Sequence, residues 1–286
     1  MLVLGLAVAS PVRAAEPPSW QTQGLVSAGE LTEASGLAAS RRQPGLLWTH
    51  NDSGHAPVLY GLGVDGRLRE RVAVQATAGD WEDIAAFEWR GRPHLAIADT
   101  GDNLAWRRRV QILLLVEPEA GACTAAVERV LQLRFPQGPR DVEAIAVDER
   151  RGQILLIEKR VPPAELYVVD LDGPDEQLAR RIGVMADTGA SARGWKGRDL
   201  ATAMVLHPNG HELLVMTYLR VLRFVAAASG DWGAALAAGP QASVPLPRDQ
   251  RLYEALTVDA DGAWWALSEG ERPPLLRRPP EVTPVD

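Results

Sequence analysis

The chain has 286 residues and a formal net charge of −7, with 46% hydrophobic and 23% charged residues. That balance suits a chain with a large buried core, and the acidic excess excludes the basic face that nucleic-acid binding requires. With one cysteine, Cys123, no internal disulfide can form.

The N-terminus comes first. Leu2 to Ser10 is a short apolar run, and Val12-Arg13-Ala14 places small residues at −3 and −1 of a cleavage site. Residues 1–14 therefore read as a signal peptide, too short to span a membrane. A basic n-region is missing, and an ordinary apolar N-terminus is the competing reading. Export predicts a periplasmic or secreted protein whose mature part, residues 15–286, is one domain after a Glu16-Pro17-Pro18 linker.

Five times, polar residues then run straight into a small apolar segment. These are Glu33-Ala-Ser-Gly-Leu-Ala38, Asp80-Trp-Glu-Asp-Ile-Ala85, Asp141-Val-Glu-Ala-Ile-Ala146, Asp199-Leu-Ala-Thr-Ala-Met204 and Tyr253-Glu-Ala-Leu-Thr257. Aligned on their apolar cores, they match Ser35, Glu82, Glu143, Thr202 and Glu254. A period of about 50 to 60 residues filled by strands predicts an all-β propeller. A β-sandwich is the competing fold, but its strands do not recur as a four-strand unit with one internal signature.

Apolar runs bounded by Gly, Pro, Asp and Asn place the strands. Blade one holds 36–40, 46–50, 58–61 and 68–74, with Asp65-Gly66 as a hairpin turn. Blade two holds 84–89, 94–99, 110–117 and 127–135, and blade three 144–147, 153–158, 165–170 and 179–185. Blade four holds 203–207, 212–217, 221–226 and 242–246, with one or two helical turns over 231–238. Blade five has only 255–258, 263–268 and 274–277, and residues 23–29 from the N-terminus supply its fourth strand. That swap closes the ring and leaves no open edge at the seam. Five blades take about 53 residues each; six would take about 44 and leave one blade without a motif.

The start of each first strand and the end of each second strand share a face, because neighbouring strands run antiparallel. The second strands end at Asn51-Asp52, Asp99-Thr-Gly-Asp102-Asn103, Glu158-Lys159-Arg160, Thr217-Tyr218 and Ser268-Glu269. Oxygen donors thus converge on one channel mouth: Glu82, Glu143, Glu254, Asp99, Asp102, Asn103 and Glu269, with Asp83, Asn51 and Asp52. Such carboxylates repel unless a cation sits among them. Calcium, which takes six to eight oxygens, is the expected metal, and the absence of a Cys cluster or His pair argues against zinc. Asp and Asn at strand ends also form turns, so the two readings compete. Asp65, Asp148, Asp170, Asp172, Asp259 and Asp261 are assigned to turns at the opposite end.

Lys159, Arg160, Arg198 and Arg220 lie on the mouth face, either to bind an anionic substrate by charge-assisted bonds or to pair with surplus carboxylates. Asp83 or His50 is the expected general base, although local hydrogen bonds equally satisfy a His in such a turn. No Gly-x-Ser-x-Gly elbow is present, which disfavours a serine nucleophile.

Asp141-Val-Glu-Ala-Ile-Ala-Val-Asp148 followed by Gly152-Gln-Ile-Leu-Leu-Ile-Glu158 resembles the blade motif of β-propeller phytases and their secreted phytase-like or esterase-like relatives. Trp48-Thr-His-Asn-Asp-Ser-Gly54, Asp80 to Ala85, Asp99 to Asn103 and Glu254 to Gly270 are similar to signatures of the same group. The resemblance implies calcium binding and phosphomonoester hydrolysis on six blades. Against it, the phytase Asp-Asp-Pro-Ala segment is replaced here by Ser35-Gly-Leu-Ala38, and five blades are counted. A calcium at the channel mouth is also similar to gluconolactonase-type propellers and to five-bladed calcium-activated nucleotidases.

Two functions remain. One is a calcium-dependent hydrolase of a phosphoester, ester or lactone. The other is a non-catalytic propeller with a structural calcium and a protein partner docked at the mouth. Propellers host both. The chain is expected to be monomeric.

Overall fold

A computed structural model describes residues 18–160, 163–186, 199–227, 230–249 and 251–281. The expected signal peptide lies outside these residues. Five sheets of antiparallel four-stranded blades surround one axis. The closing strand β1 is Gln21–Leu25. Blade one is β2 (Ala34–Ala39), β3 (Leu46–Asn51), β4 (Val58–Gly63) and β5 (Leu68–Gln75). Blade two is β6 (Trp81–Trp89), β7 (Arg92–Asp99), β8 (Val110–Val116) and, beyond the short β9 (Thr124–Ala126), β10 (Arg129–Arg134).

Blade three is β11 (Val142–Asp148), β12 (Gln153–Glu158), β13 (Ala164–Asp170) and, beyond β14 (Glu176–Leu178), β15 (Arg180–Met185). Blade four is β16 (Ala201–Leu206), β17 (Glu212–Thr217), β18 (Arg220–Val225) and, after helix α1 (Trp232–Ala238), β19 (Ala242–Pro245). Blade five is β20 (Tyr253–Val258), β21 (Trp264–Ser268) and β22 (Pro274–Arg278), completed by β1. The count is five, and the N-terminal strand closes the ring.

Closure rests on main-chain pairing: Gln21 faces Arg277, Thr22 faces Leu276 and Leu25 faces Pro274. The closing strand begins two residues before the sequence expectation. Two short strands were not anticipated. β9 and β14 each add in parallel to the outer edge of the preceding blade, at β5 and β10. They satisfy main-chain groups that an edge strand would otherwise expose.

Inner strands β2, β6, β11, β16 and β20 each pack on the next, and β20 packs on β2. They start two or three residues earlier than expected because every one carries a β-bulge near its start. In blades two to five the unmatched residue is Glu82, Glu143, Thr202 or Glu254; in blade one it is Gly36. A bulge rotates a side chain out of the strict alternation of a strand. Here it occurs at or next to the position that the five repeats share.

Neighbouring blades are also joined by tryptophan. The indole N–H of Trp48 in blade one donates to Glu117 in blade two at 2.9 Å, and that of Trp89 to Asp172 in blade three at 3.2 Å. Trp232 of α1 reaches back to Asp148 in blade three at 3.1 Å, and Trp20 reaches the Pro245 carbonyl in blade four at 3.1 Å. Asp148 and Asp172, expected simply to make turns, thus accept bonds across blade boundaries. A hydrogen bond to a charged acceptor contributes about 1.5 to 3 kcal/mol.

Candidate metal and substrate site at the channel mouth

The convergence follows from two repeated registers. The first is the bulge. Glu82, Glu143 and Glu254 extend from it to the mouth, all but fully buried. Where the same position holds a hydroxyl, it staples blades instead: Ser35 Oγ donates to the Glu82 carbonyl at 2.6 Å, and Thr202 Oγ1 to the Tyr253 carbonyl at 3.1 Å.

The second register is the residue just after each second strand, which is Asp52, Thr100, Lys159, Tyr218 and Glu269 in blade order. In blades one, three and five its backbone N–H is tied to the residue before the inner strand: Asp52 to the Glu33 carbonyl at 2.8 Å, Lys159 to Asp141 at 3.0 Å and Glu269 to Leu252 at 2.9 Å; in blade two the Gly101 amide bonds Asp80 instead, at 3.3 Å. Asp80 and Asp141 occupy the same place as Glu33 and Leu252, and their side chains also face the mouth.

Among the described residues, three groupings of carboxylates are close enough to share a metal ion: Asp52–Asp80–Glu82, Glu82–Asp141–Glu143 and Asp52–Glu254–Glu269. Within each, one oxygen per residue lies within 4.8 Å of the others. At such a distance two ionised carboxylates repel by about 3 to 4 kcal/mol with an effective dielectric near 20. Burial first, then neighbouring acids, pushes the carboxyl of Glu82 far above the usual range. Burial also pushes Glu143 up, against the pull of Lys159, and pushes Glu269 up with the help of Glu254. Asp52, partly exposed, is pushed up to about 6 by burial. Gly101 admits this crowding, because a Cβ there would collide with Glu82 Oε1 and Asp80 Oδ2.

Lys159 enters the cluster with Nζ 2.5 Å from Glu143 Oε2 and 3.9 Å from Glu254 Oε1. The Tyr218 hydroxyl donates to Glu254 Oε1 at 2.7 Å, and its ring centroid lies 5.6 Å from Nζ. Arg160, more than half exposed, follows Lys159 in the chain and contacts Glu158 at 3.4 Å, with no contact to a mouth carboxylate among the described residues.

Several expected residues fall outside the cluster. Asp99 ends its second strand one position before the mouth register, so alternation turns it away. Its carboxylate accepts from the Asp80 amide at 2.9 Å, Arg107 at 2.9 Å and Gln111 at 2.8 Å. Asn51 is its counterpart in blade one, and its side-chain oxygen accepts from the amides of Thr32 and Glu33 at 3.0 Å. Asp102 caps the amides of Trp106 and Arg107, each at 2.8 Å, and Asn103 is an exposed loop residue. Arg220 is buried in a two-point ion pair with Asp199, Nε to Oδ1 at 2.9 Å and Nη2 to Oδ2 at 2.5 Å, and does not reach the mouth as a substrate ligand. Arg198 lies outside the described residues.

Asp83 and His50, the expected bases, are both fully buried. Asp83 sits one residue along β6 from Glu82, on the axis. Its Oδ1 accepts from Ile84 N at 2.8 Å, and its Oδ2 accepts from Ile145 N at 2.9 Å and Met204 N at 3.3 Å. A carboxylate committed to three amides from three blades has no free edge for substrate. His50 places its ring edge-on to Trp81 and donates from Nδ1 to the Asn51 carbonyl at 3.0 Å. Burial pushes its pKa down to about 4, so it is neutral near pH 7. Beyond Asp83 the axis opens into a cavity of about 120 Å3 lined by Leu37, Ile84, Ala146, Met204 and Thr257.

On the rim, Trp106 and Leu104 are 77% and 65% exposed. Asp102 holds their loop, and its own amide donates to Asp141 Oδ1 at 2.7 Å. The mouth residues Asp52, Asp80 and Asp141 were present in the quoted motifs. The signal that singles them out is register, since they flank each strand start or end at one fixed offset.

The fold and mouth thus define a five-bladed β-propeller with an acidic axial site. No protein-family model matches the sequence, and no curated protein is significantly similar to it. Among solved structures the fold is similar to the PQQ-bound aldose sugar dehydrogenase of Streptomyces coelicolor, with 12% identity over 95% of this chain and 99% of that one, at a TM-score of 0.51. It is likewise similar to the apo soluble aldose sugar dehydrogenase of Escherichia coli, with 9% identity over 92% and 100% of the two chains, at a TM-score of 0.51. At such identity the likeness is one of fold, and it places the chain among β-propellers. No helix among the described residues is long and apolar enough to cross a membrane.

Proposed function

We propose that the protein is a calcium-dependent hydrolase of a phosphoester, ester or lactone, acting in the periplasm or outside the cell and akin to the phytase-like propellers its motifs resemble. The observation that carries this reading is the gathering of Asp52, Asp80, Glu82, Asp141, Glu143, Glu254 and Glu269 at one mouth, with the Lys159 ammonium against Glu143 and Glu254. That donor set is all oxygen, as calcium prefers. It contains no sulfur or imidazole.

Bound calcium would polarise a substrate oxygen or a water and offset developing negative charge. The remaining work falls to the chain. Lys159, with Arg160 beside it, orients an anionic or carbonyl oxygen. Asp83 and His50, fully buried and hydrogen-bonded inside the blades, do not reach a substrate at the mouth. The buried inner strands hold the carboxylates rigid, so their geometry is set before substrate arrives.

A non-catalytic binding propeller is the second reading. The exposed Trp106 and Leu104 on a pinned rim loop favour it, since a protein partner at the mouth would cover them.

One experiment separates the two. Metal-stripped protein is assayed on phosphoester, ester and lactone panels with calcium and with chelator. Calcium-restored turnover that Glu82→Gln abolishes supports the hydrolase. Calcium-raised melting without turnover on any panel supports the binding module. Neither turnover nor a change in melting removes the metal from both readings.

A further inference from the structure

The three carboxylate groupings are not equivalent. Lys159 touches two of them, through Glu143 at 2.5 Å and Glu254 at 3.9 Å. Its ammonium is further fixed by the Tyr218 ring at 5.6 Å, and Tyr218 in turn donates to Glu254. The third grouping, Asp52–Asp80–Glu82, has no ammonium or guanidinium within ion-pair distance among the described residues.

Glu82 belongs to that grouping. It is only 3% exposed, and among the described residues its carboxylate makes neither a hydrogen bond nor an ion pair. A buried carboxylate without a donor is costly to keep ionised. Glu82 Oε1 and Asp80 Oδ2 both close on the Gly101 backbone, where a Cβ would come within 1.9 Å of the first and 2.5 Å of the second, so only a glycine lets the two carboxylates converge there. A buried acid with no donor of its own, facing the oxygens of Asp52 and Asp80, is the arrangement a cation completes.

We infer that Lys159 is a tethered cation occupying the place a second divalent ion would take, so that the mouth binds one divalent ion, between Asp52, Asp80 and Glu82. This rests on the reading of the mouth as a cation site, and it adds the location, the number of ions and the residue that limits that number. The chemistry is ordinary. An ammonium carries one charge and can make three hydrogen bonds, so it satisfies Glu143 and the Glu254 side without metal. A divalent ion entering beside it is repelled by Lys159 and finds two of its would-be ligands already paired.

The test is calorimetric titration of calcium into the metal-stripped full chain. Wild type should take one ion, Lys159→Met two, and Lys159→Arg one. Independently of that variant's folding, Glu82→Gln in the wild-type background should weaken calcium by about tenfold or more, and Glu143→Gln by less than about threefold. One ion in both wild type and Lys159→Met, with equal losses from Glu82→Gln and Glu143→Gln, overturns the role of Lys159 and leaves the cation reading intact. Two ions in wild type also overturn it. No binding in wild type but binding in Lys159→Met overturns the proposed calcium function and supports Lys159 as the resident cation. No binding in either overturns both.

Discussion

Asp83 of blade two accepts a hydrogen bond from the backbone amide of Ile145 in blade three, Oδ2 to N at 2.9 Å, on the axis of the propeller. The same oxygen takes the Met204 amide of blade four at 3.3 Å. The positions equivalent to Asp83 in the other blades are Gly36, Ala144, Ala203 and Ala255, small residues that leave the axis to one carboxylate. Gly36 is pressed hardest, since a Cβ there would sit 2.8 Å from Asp83 Cα and its φ is +79°.

Asp83→Ala should therefore destabilise the fold strongly. It strands three buried amides, and each unmet donor costs about 1 to 3 kcal/mol, so a loss of about 3 kcal/mol or more is expected in urea unfolding. A variant as stable as wild type would show that the axial bonds contribute nothing.

Calcium should raise the melting temperature of metal-stripped protein. At about 100-fold excess over Kd, binding only the folded state adds about 2.7 kcal/mol, worth about 5 °C or more in a chain of this size. Glu82→Gln should remove most of the rise. Glu88→Gln, exposed on the outer part of β6, should keep it. Scanning calorimetry with calcium and with chelator checks this, and equal curves for wild type contradict it.

The pH dependence has two opposed parts. Asp52 has a folded pKa of about 6, above its ordinary 3.8, and burial raises Glu82, Glu143 and Glu269 likewise. A raised carboxylate adds stability that is complete below the unfolded value and is lost as pH rises through the folded one. Metal-free protein should thus weaken from about pH 4 to beyond pH 6, and calcium should cancel the loss. His50 acts in the other direction. Its folded pKa of about 4 lies below the ordinary 6.5, so its contribution is complete above pH 6.5 and is lost as pH falls toward 4. The shift is worth about 3 kcal/mol. Unfolding free energies across pH 4 to 8 for wild type and His50→Gln should differ by an acid limb of about that size; parallel profiles would refute it.

Starting the chain at Val26 removes β1 and the Trp20 bond to Pro245. The main-chain groups of Pro274–Arg278 would then form an open edge. Aggregation or a markedly lower melting temperature is expected by light scattering and calorimetry. A soluble truncate with unchanged melting would mean that closure does not depend on β1.

The sequence by itself determined the architecture and the address of the site. Five recurrences at a near-constant interval fixed the blade count, because each blade must present the same apolar core to its neighbours. A last blade one strand short implied the closure by β1. The shared position of Glu82, Glu143 and Glu254 put them at one mouth, since equivalent positions in a ring converge.

Which polar neighbour points where was decided only in three dimensions. Asn51 and Asp52, Asp99 and Thr100, and Glu158 and Lys159 are adjacent pairs of polar residues, equally available on reading the chain. Asn51, Asp99 and Glu158 turn into the blade, Asp52 and Lys159 reach the mouth, and the Thr100 hydroxyl bonds the Val142 carbonyl of blade three, an assignment that side-chain alternation and packing against the neighbouring blade set. Asp83 and His50 looked available because they stand beside polar residues in the chain. Their burial comes from Ile145 and Met204 against Asp83 and from Trp81 against His50; each lies in another blade, and the first two are about 60 or more residues away. Lys159 joined Glu143 and Glu254 for the same reason: pairing across the axis depends on the closure of the whole ring, and a linear chain carries no record of distances that only closure creates.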